Sequence, residues 1–303
     1  MIRRDRSAWV GTPSAQLPTP KTPGFYRAAM VRRREILREG LTIAWEEGGA
    51  RDGPPLLLLH NACSTFRATW GRVVEPLRAR FYLIGPDLRG HGESTSPTGR
   101  LDLREMADDM ALLLDRLGIP AVHVMAFSGG ASTALYLAAR HPARVRSMVL
   151  IGSHYTVRNL RTRGDGFWDP ERIRREEPAW WAAMMRWHGS EERVRMLLRG
   201  WQEEDHHRPD FRPEDLQGIR VPTLLLIGEN DPITPIEQTV EMARWMPQAQ
   251  LVIFPKAGHD ILRERPEAFL ETVHGFWDAL GIPRGSARSP EAEAKEGPGG
   301  SPP

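Results

Sequence analysis

Short apolar runs recur along the chain, with longer amphipathic stretches between them. The runs lie at Pro55 to His60, Phe81 to Gly85, Ala121 to Ala126, Arg146 to Ile151, Thr223 to Ile227 and Gln250 to Phe254. Runs this short, apolar at successive positions, suit strands covered on both faces. Ahead of them, Arg34 to Glu39 and Leu41 to Glu46 read as an opening hairpin with its turn at Gly40. Between the runs the period becomes helical. Met106, Met110, Leu113 and Leu117 share one stripe, Ala131, Ala134, Leu135 and Ala138 a second, and Phe269, Val273, Phe276 and Leu280 a third. Pro266 suits the first turn of that last helix, where a missing N–H costs nothing. Strand and helix patterns alternating in this way predict βαβ units, and so an α/β fold with a mostly parallel, doubly wound sheet.

One stretch breaks the rhythm. About seventy residues separate Ile151 from Thr223, far more than an ordinary crossover needs. It holds Trp168, Trp180, Trp181, Trp187 and Trp201, half of the ten tryptophans, together with Met184, Met185 and Met196. An inserted helical cap is expected at residues 153–218, over the C-terminal edge of a core formed by 25–152 and 219–282. Residues 1–24 and 283–303 are rich in Pro, Gly, Ser and charge and are expected to be disordered tails.

Composition narrows the function classes. With 40% hydrophobic and 26% charged residues the 303-residue chain falls in the globular range. Its apolar runs are far shorter than the ~20 residues of a membrane-spanning helix. Thr12 to Pro23 is rich in Pro and Thr where a secretory signal needs an apolar stretch, so a cytoplasmic protein is expected. Acidic and basic residues nearly balance, and the densest basic cluster, Arg32 to Arg34, runs straight into Glu35. Nucleic-acid binding needs uncompensated charge, so no such partner is expected. A single cysteine, Cys63, allows neither an intrachain disulfide nor a thiolate cluster. His206 and His207, after Glu203, Glu204 and Asp205, lack regular ligand spacing and read as a solvated loop, so no metal or other cofactor is expected.

The candidate chemistry begins where the run Ala121 to Ala126 passes through Phe127-Ser128-Gly129-Gly130 into a small-residue helix. A serine on so abrupt a strand-to-helix turn is strained and has an exposed Oγ, provided the residues two before and two after it are small. Ala126 and Gly130 meet that condition. Four further segments then complete a resemblance to the α/β-hydrolase superfamily over residues 34–281. LLLLHNAC at 56–63 is similar to its apolar strand and oxyanion loop, and GPDLRGHGES at 85–94 to its Asp-x-x-Gly-x-Gly-x-Ser turn. TLLLIGENDPITP at 223–235 resembles the acid-bearing strand and loop, and LVIFPKAGHD at 251–260 the segment presenting the histidine.

The resemblance implies Ser128 as nucleophile, Asp231 as orienting acid and His259 as general base, in the family's chain order. A serine hydroxyl is a poor nucleophile near neutral pH, so an imidazole must take its proton and a carboxylate must hold that imidazole's tautomer. Glu229 precedes the matching position, and Asp260 would have to turn back on its neighbour. The site after the preceding strand, Gly152-Ser153-His154, carries no carboxylate. The resemblance also implies an oxyanion hole made by the backbone N–H groups of Ala62 and Gly129. Asn61 stands where relatives usually have Gly, and Asn tolerates positive φ better than most residues. His91 reads as a structural turn residue and Cys63 as buried packing.

Phe127, Trp180, Trp181 and Trp187 are expected to line the substrate pocket. A serine at the elbow, rather than an aspartate, argues for acyl transfer. The expected substrate is a small-to-medium, largely apolar carboxylic ester or lactone, acted on by a monomer or homodimer. The same resemblance admits a carbon–carbon bond hydrolase of ring-cleavage products and, in a different class, a small-molecule receptor.

Overall fold

The computed structural model describes residues 30–50, 52–160, 162 and 166–284. Strands β1 (Val31–Arg38) and β2 (Leu41–Gly49) form the opening hairpin, with Gly40 at φ +72° in its turn. β3 (Pro55–Leu59) leads into two short helices, α1 (Phe66–Trp70) and α2 (Val74–Arg78), and then β4 (Tyr82–Pro86). Helix α3 (Leu103–Arg116), β5 (Val122–Phe127), α4 (Gly129–Arg140) and β6 (Val145–Ile151) follow. The insertion carries α5 (Pro170–Glu176), α6 (Pro178–His188), α7 (Glu191–His207) and α8 (Pro213–Gln217). The chain then returns through β7 (Thr223–Gly228), α9 (Ile236–Trp245), β8 (Ala249–Phe254), α10 (Ile261–Glu264) and α11 (Pro266–Ala279).

The eight strands lie in the order β1-β2-β4-β3-β5-β6-β7-β8. Pairing is antiparallel for β1 with β2 and β2 with β4, and parallel for the remaining neighbours. This is the mostly parallel α/β sheet that the sequence predicts. Its two apolar faces explain the unbroken runs. Along β3, Leu57 and Leu59 join one buried cluster with Met106, Met110, Leu113 and Ala134. Leu56 and Leu58 face the opposite way, toward Phe66, Trp70, Phe269, Val273 and Phe276. Leu280 departs from the expected stripe. It caps α11 and is 37% exposed.

The insertion continues the first cluster: Trp168, Ile173, Trp180, Met184, Leu197 and Trp201 are buried together with Leu101, Leu103 and Met106. His206 and His207 end α7 and do not belong to a loop, and Glu204 and Asp205 beside them are buried. The loop expectation therefore fails, whereas Glu203, His206 and His207 are solvent-exposed as expected; Glu204 is drawn inward because its Oε2 accepts the Leu103 N–H at 3.1 Å and so meets an otherwise unpaired donor at the start of α3. Among the described residues no group of three His, Cys, Asp or Glu side chains could hold a metal ion. No described helix is long and apolar enough to cross a membrane. The expected tails fall outside the described residues except for Pro283 and Arg284, and the Arg284 guanidinium bonds Asp278 at 3.1 Å.

Candidate active site

The turn after β5 puts Ser128 at φ +54° and ψ −119°, the strained conformation expected of an elbow. Its own N–H donates to Ile151 O at 2.8 Å, which ties the turn to the neighbouring strand β6. The crossing is close. A Cβ on Gly130 would stand 2.5 Å from His60 O and 2.6 Å from Leu59 O, so only glycine lets α4 leave past β3. Ala126, two residues before the serine, is fully buried.

His259 and Asp231 meet beyond the ends of β8 and β7, their side chains joined by a hydrogen bond of 2.7 Å from Nδ1 to Oδ2. The other oxygen, Asp231 Oδ1, accepts the N–H groups of Ile233 at 2.8 Å and Thr234 at 3.0 Å, which fixes the carboxylate. Burial would lower the His259 pKa, but the Asp231 charge and hydrogen bond, with Asp260 and Glu264 beyond, outweigh it and raise the value. Phe127 lies against the imidazole at 4.9 Å between ring centroids. Glu229 points elsewhere, its Oε2 accepting the exposed Lys256 N–H at 2.8 Å.

Ser128 and His259 open on one cavity of about 230 Å³. Ala62 and Gly129 also line it, and neither backbone N–H finds an acceptor among the described residues. The left-handed residue of the oxyanion loop is Cys63, at φ +52°, and not Asn61 as the sequence suggested. Asn61 serves that loop through its side chain, Oδ1 accepting the Thr69 hydroxyl at 2.7 Å.

Of the aromatic residues expected at the pocket, Phe127, Trp180 and Trp187 line it. Trp181 does not. The guanidinium groups of Arg174 and Arg195 stand over its ring at 5.9 and 5.7 Å, a cation–π arrangement outside the lining. Trp168 and Trp201 are lining residues that the sequence reading passed over, because which side of an insertion faces the sheet depends on how its helices pack.

Three buried histidines join this wall to the oxyanion loop. Trp201 Nε1–H donates to His91 Nε2 at 3.0 Å, and His91 Nδ1–H donates to Arg89 O at 2.9 Å. His188, the last residue of α6, accepts the Gly92 N–H at 3.0 Å and donates to Cys63 O at 3.1 Å. His60 accepts the Leu88 N–H at 2.9 Å and donates to Asn61 O at 2.8 Å. Each ring accepts at one nitrogen, so each is neutral. Burial pushes all three below the usual imidazole value, His188 to about 4. His91 is thus the structural turn residue that was expected, with the added duty of receiving an indole from the insertion. Sequence gave no sign of His188, which sits alone before Gly189.

A doubly wound sheet with a strained serine and a histidine–aspartate pair on one cavity defines a hydrolase of the α/β class. Residues 54–206 match the family model described as alpha/beta hydrolase fold, and residues 191–288 match one described as TAP-like protein. The chain belongs to the α/β-hydrolase fold family. It is 28% identical to a 2-hydroxymuconate semialdehyde hydrolase of Pseudomonas putida, over 80% of this chain and 93% of that protein. It is 26% identical to 3-oxoadipate enol-lactonase 2 of Acinetobacter baylyi, over 72% and 87%. The structure of the esterase RhEst1 from Rhodococcus sp. ECU1013 has the same fold, with a TM-score of 0.67 and 24% identity, covering 83% of this chain and all of that one.

Proposed function

We propose that the protein hydrolyses a small-to-medium, largely apolar carboxylic ester or lactone through an acyl-enzyme on Ser128. The observation that carries this reading is the 2.7 Å pairing of Asp231 with His259 on the cavity that Ser128 also lines. His259 takes the serine proton as Oγ attacks the carbonyl carbon. The oxyanion receives the N–H groups of Ala62 and Gly129, and the proton passes from His259 to the departing alkoxide as the C–O bond breaks. Water, deprotonated by the same imidazole, then attacks the acyl carbon, and His259 returns the proton to Ser128 Oγ as the acyl–serine bond breaks and the acid leaves. Asp231 accepts from Nδ1–H and so holds the ring with Nε2 free to accept.

A cavity of about 230 Å³ walled by Phe127, Trp180 and Trp187 favours a compact apolar substrate. Residues 153–218 serve as a cap above the core, and the chemistry calls for no cofactor. A second reading, cleavage of a carbon–carbon bond in a ring-cleavage product, draws support from the relatedness to the 2-hydroxymuconate semialdehyde hydrolase.

Fluorophosphonate labelling with peptide mapping tests the nucleophile, and a p-nitrophenyl ester series run beside a ring-cleavage dienone panel tests the bond. Label on Ser128 with ester turnover supports the proposal. Turnover of dienones alone replaces the first reading with the second, and an unlabelled, inactive protein removes both.

A further inference from the structure

Asp205 lines the cavity as a buried carboxylate, 8% exposed, that forms no ion pair with any described residue. A charge taken out of water is costly unless an opposite charge answers it, so buried acids are normally paired. The residue before it shows the usual arrangement. Glu204, also buried, pairs with Arg208 at 2.7 Å and accepts the Leu103 N–H at 3.1 Å. Its neighbour on the cavity has no such counter-charge.

Neutral donors attend Asp205 instead. Burial raises its pKa, the mark of a charge held at a cost, while the Thr162 hydroxyl and the Trp168 indole favour the ionised form. Trp168 Nε1–H donates to Oδ2 at 2.7 Å. Oδ1, on which no described residue closes a hydrogen bond, is not shut off from solvent, and the cavity is what it opens on. A neutral acceptor such as an amide oxygen would hold Trp168 equally well without burying a charge. The packing of the cap therefore accounts for an acceptor at position 205 and leaves its negative charge unexplained.

The surroundings suit a cation. Trp168, Trp180, Trp187 and Trp201 line the same cavity, and the electron-rich face of an indole attracts positive charge. Both arginines on the wall have carboxylates of their own, Arg208 in Glu204 and Arg263 in Asp260 at 3.1 Å, and neither pairs with Asp205. Asp205 also stands close to the chemistry. It follows Trp201 by one turn on the same face of α7, and the Trp201 ring rests beside Gly129, where a Cβ would come within 2.4 Å of it. A group held by Asp205 is thus a short chain away from the carbon that Ser128 attacks. We infer that the substrate, apolar elsewhere, carries an ammonium group that takes the Asp205 carboxylate as its counter-ion among the tryptophan rings, so that the enzyme acts on an amino-substituted ester or lactone. This rests on the ester-hydrolase reading and names the class of substrate within it.

The test has one arm without catalysis and one with it, both on the full chain. n-Alkylammonium chlorides should raise the melting temperature, and n-alkanols of the same length at equal ionic strength should not. In turnover, esters ending in a dimethylamino group, which is protonated at neutral pH and cannot acylate itself, are set against isosteres ending in isopropyl at successive chain lengths. The best amino ester should exceed its isostere in kcat/KM by about tenfold or more, as a desolvated charge pair allows. Asp205→Asn keeps an oxygen for Trp168 and removes the charge, so both preferences should collapse. If that variant does not fold, the two wild-type comparisons decide alone. Equal responses to ammonium and alkanol, a preference that survives Asp205→Asn, or a hydroxyl-ended ester preferred over the amino ester overturns the inference. An enzyme labelled at Ser128 and active on plain esters, yet indifferent to the charge, sinks this inference only. An unlabelled protein, inactive on every ester but stabilised by alkylammonium ions through Asp205, sinks the function and leaves the cation site standing.

Discussion

Gly152 lies against His259 beyond the ends of β6 and β8: a Cβ at residue 152 would stand 2.7 Å from imidazole Cε1 and 3.0 Å from Nδ1. Gly152 also adopts φ +56°, and Thr234 donates to its carbonyl at 3.1 Å, so the contact is held from both sides. Gly152→Ala should therefore displace the ring from Ser128 while sparing the sheet. Misplacement of a catalytic group by an ångström costs about 10²-fold, and kcat should fall by that order. Steady-state kinetics on a p-nitrophenyl ester, beside an unchanged far-ultraviolet circular dichroism spectrum, checks it.

Asp231 and Glu229 separate cleanly as candidate acids. Asp231→Asn removes the acceptor that fixes the His259 tautomer and should lower kcat by about 10⁴. Glu229→Gln loses only an exposed contact to the Lys256 backbone and should leave kcat within about twofold, as surface changes usually do. Parallel kinetics on the two variants decides, and the reverse order would reassign the acid.

The pH profile follows from the same pair. His259 acts as base only when deprotonated, and Asp231 raises its pKa above the ordinary 6.5. The acidic limb of kcat/KM should therefore have its midpoint above 6.5 and rise with pH. In an Asp231→Asn protein with residual activity, that midpoint should move down, since burial then acts against a weaker opponent.

Acid stability carries a second signature. His123, His154 and His188 are each held near 4 by burial, whereas an unfolded chain protonates them near 6.5. Between those values the unfolded state binds more protons than the native state, so stability falls as pH falls. The melting temperature should drop through that window and level off for these groups below about 4, where both states are charged. Thermal melts from pH 7 to 4 read this directly, and His188→Gln should shrink the slope.

The sheet was legible in the sequence because its strands are buried on both faces, which leaves runs such as Leu56 to Leu59 without a polar break. The serine, acid and histidine were legible because each follows such a run, and the small residues around Ser128 mark the turn. What stayed hidden depends on packing across the sheet. Trp181 and Trp180 are neighbours in sequence, yet only Trp180 reaches the cavity. His154 looked like the mere absence of a carboxylate, and its place beside His259 emerges only when β6 and β8 are set on either side of β7. The positive φ expected at Asn61 fell two residues later, at Cys63, where the His188 ring receives the carbonyl.

Trp201 joins two tasks that many binding sites keep apart. Its ring edge rests on the backbone beside the nucleophile, where a Cβ on Gly129 would come within 2.4 Å of it, and it also forms part of the substrate wall. Diversification of such an enzyme toward new substrates is thereby channelled. Exchanges at Trp180, Ala183 or Trp187 can remodel selectivity alone, whereas any exchange at position 201 alters selectivity and reactivity together.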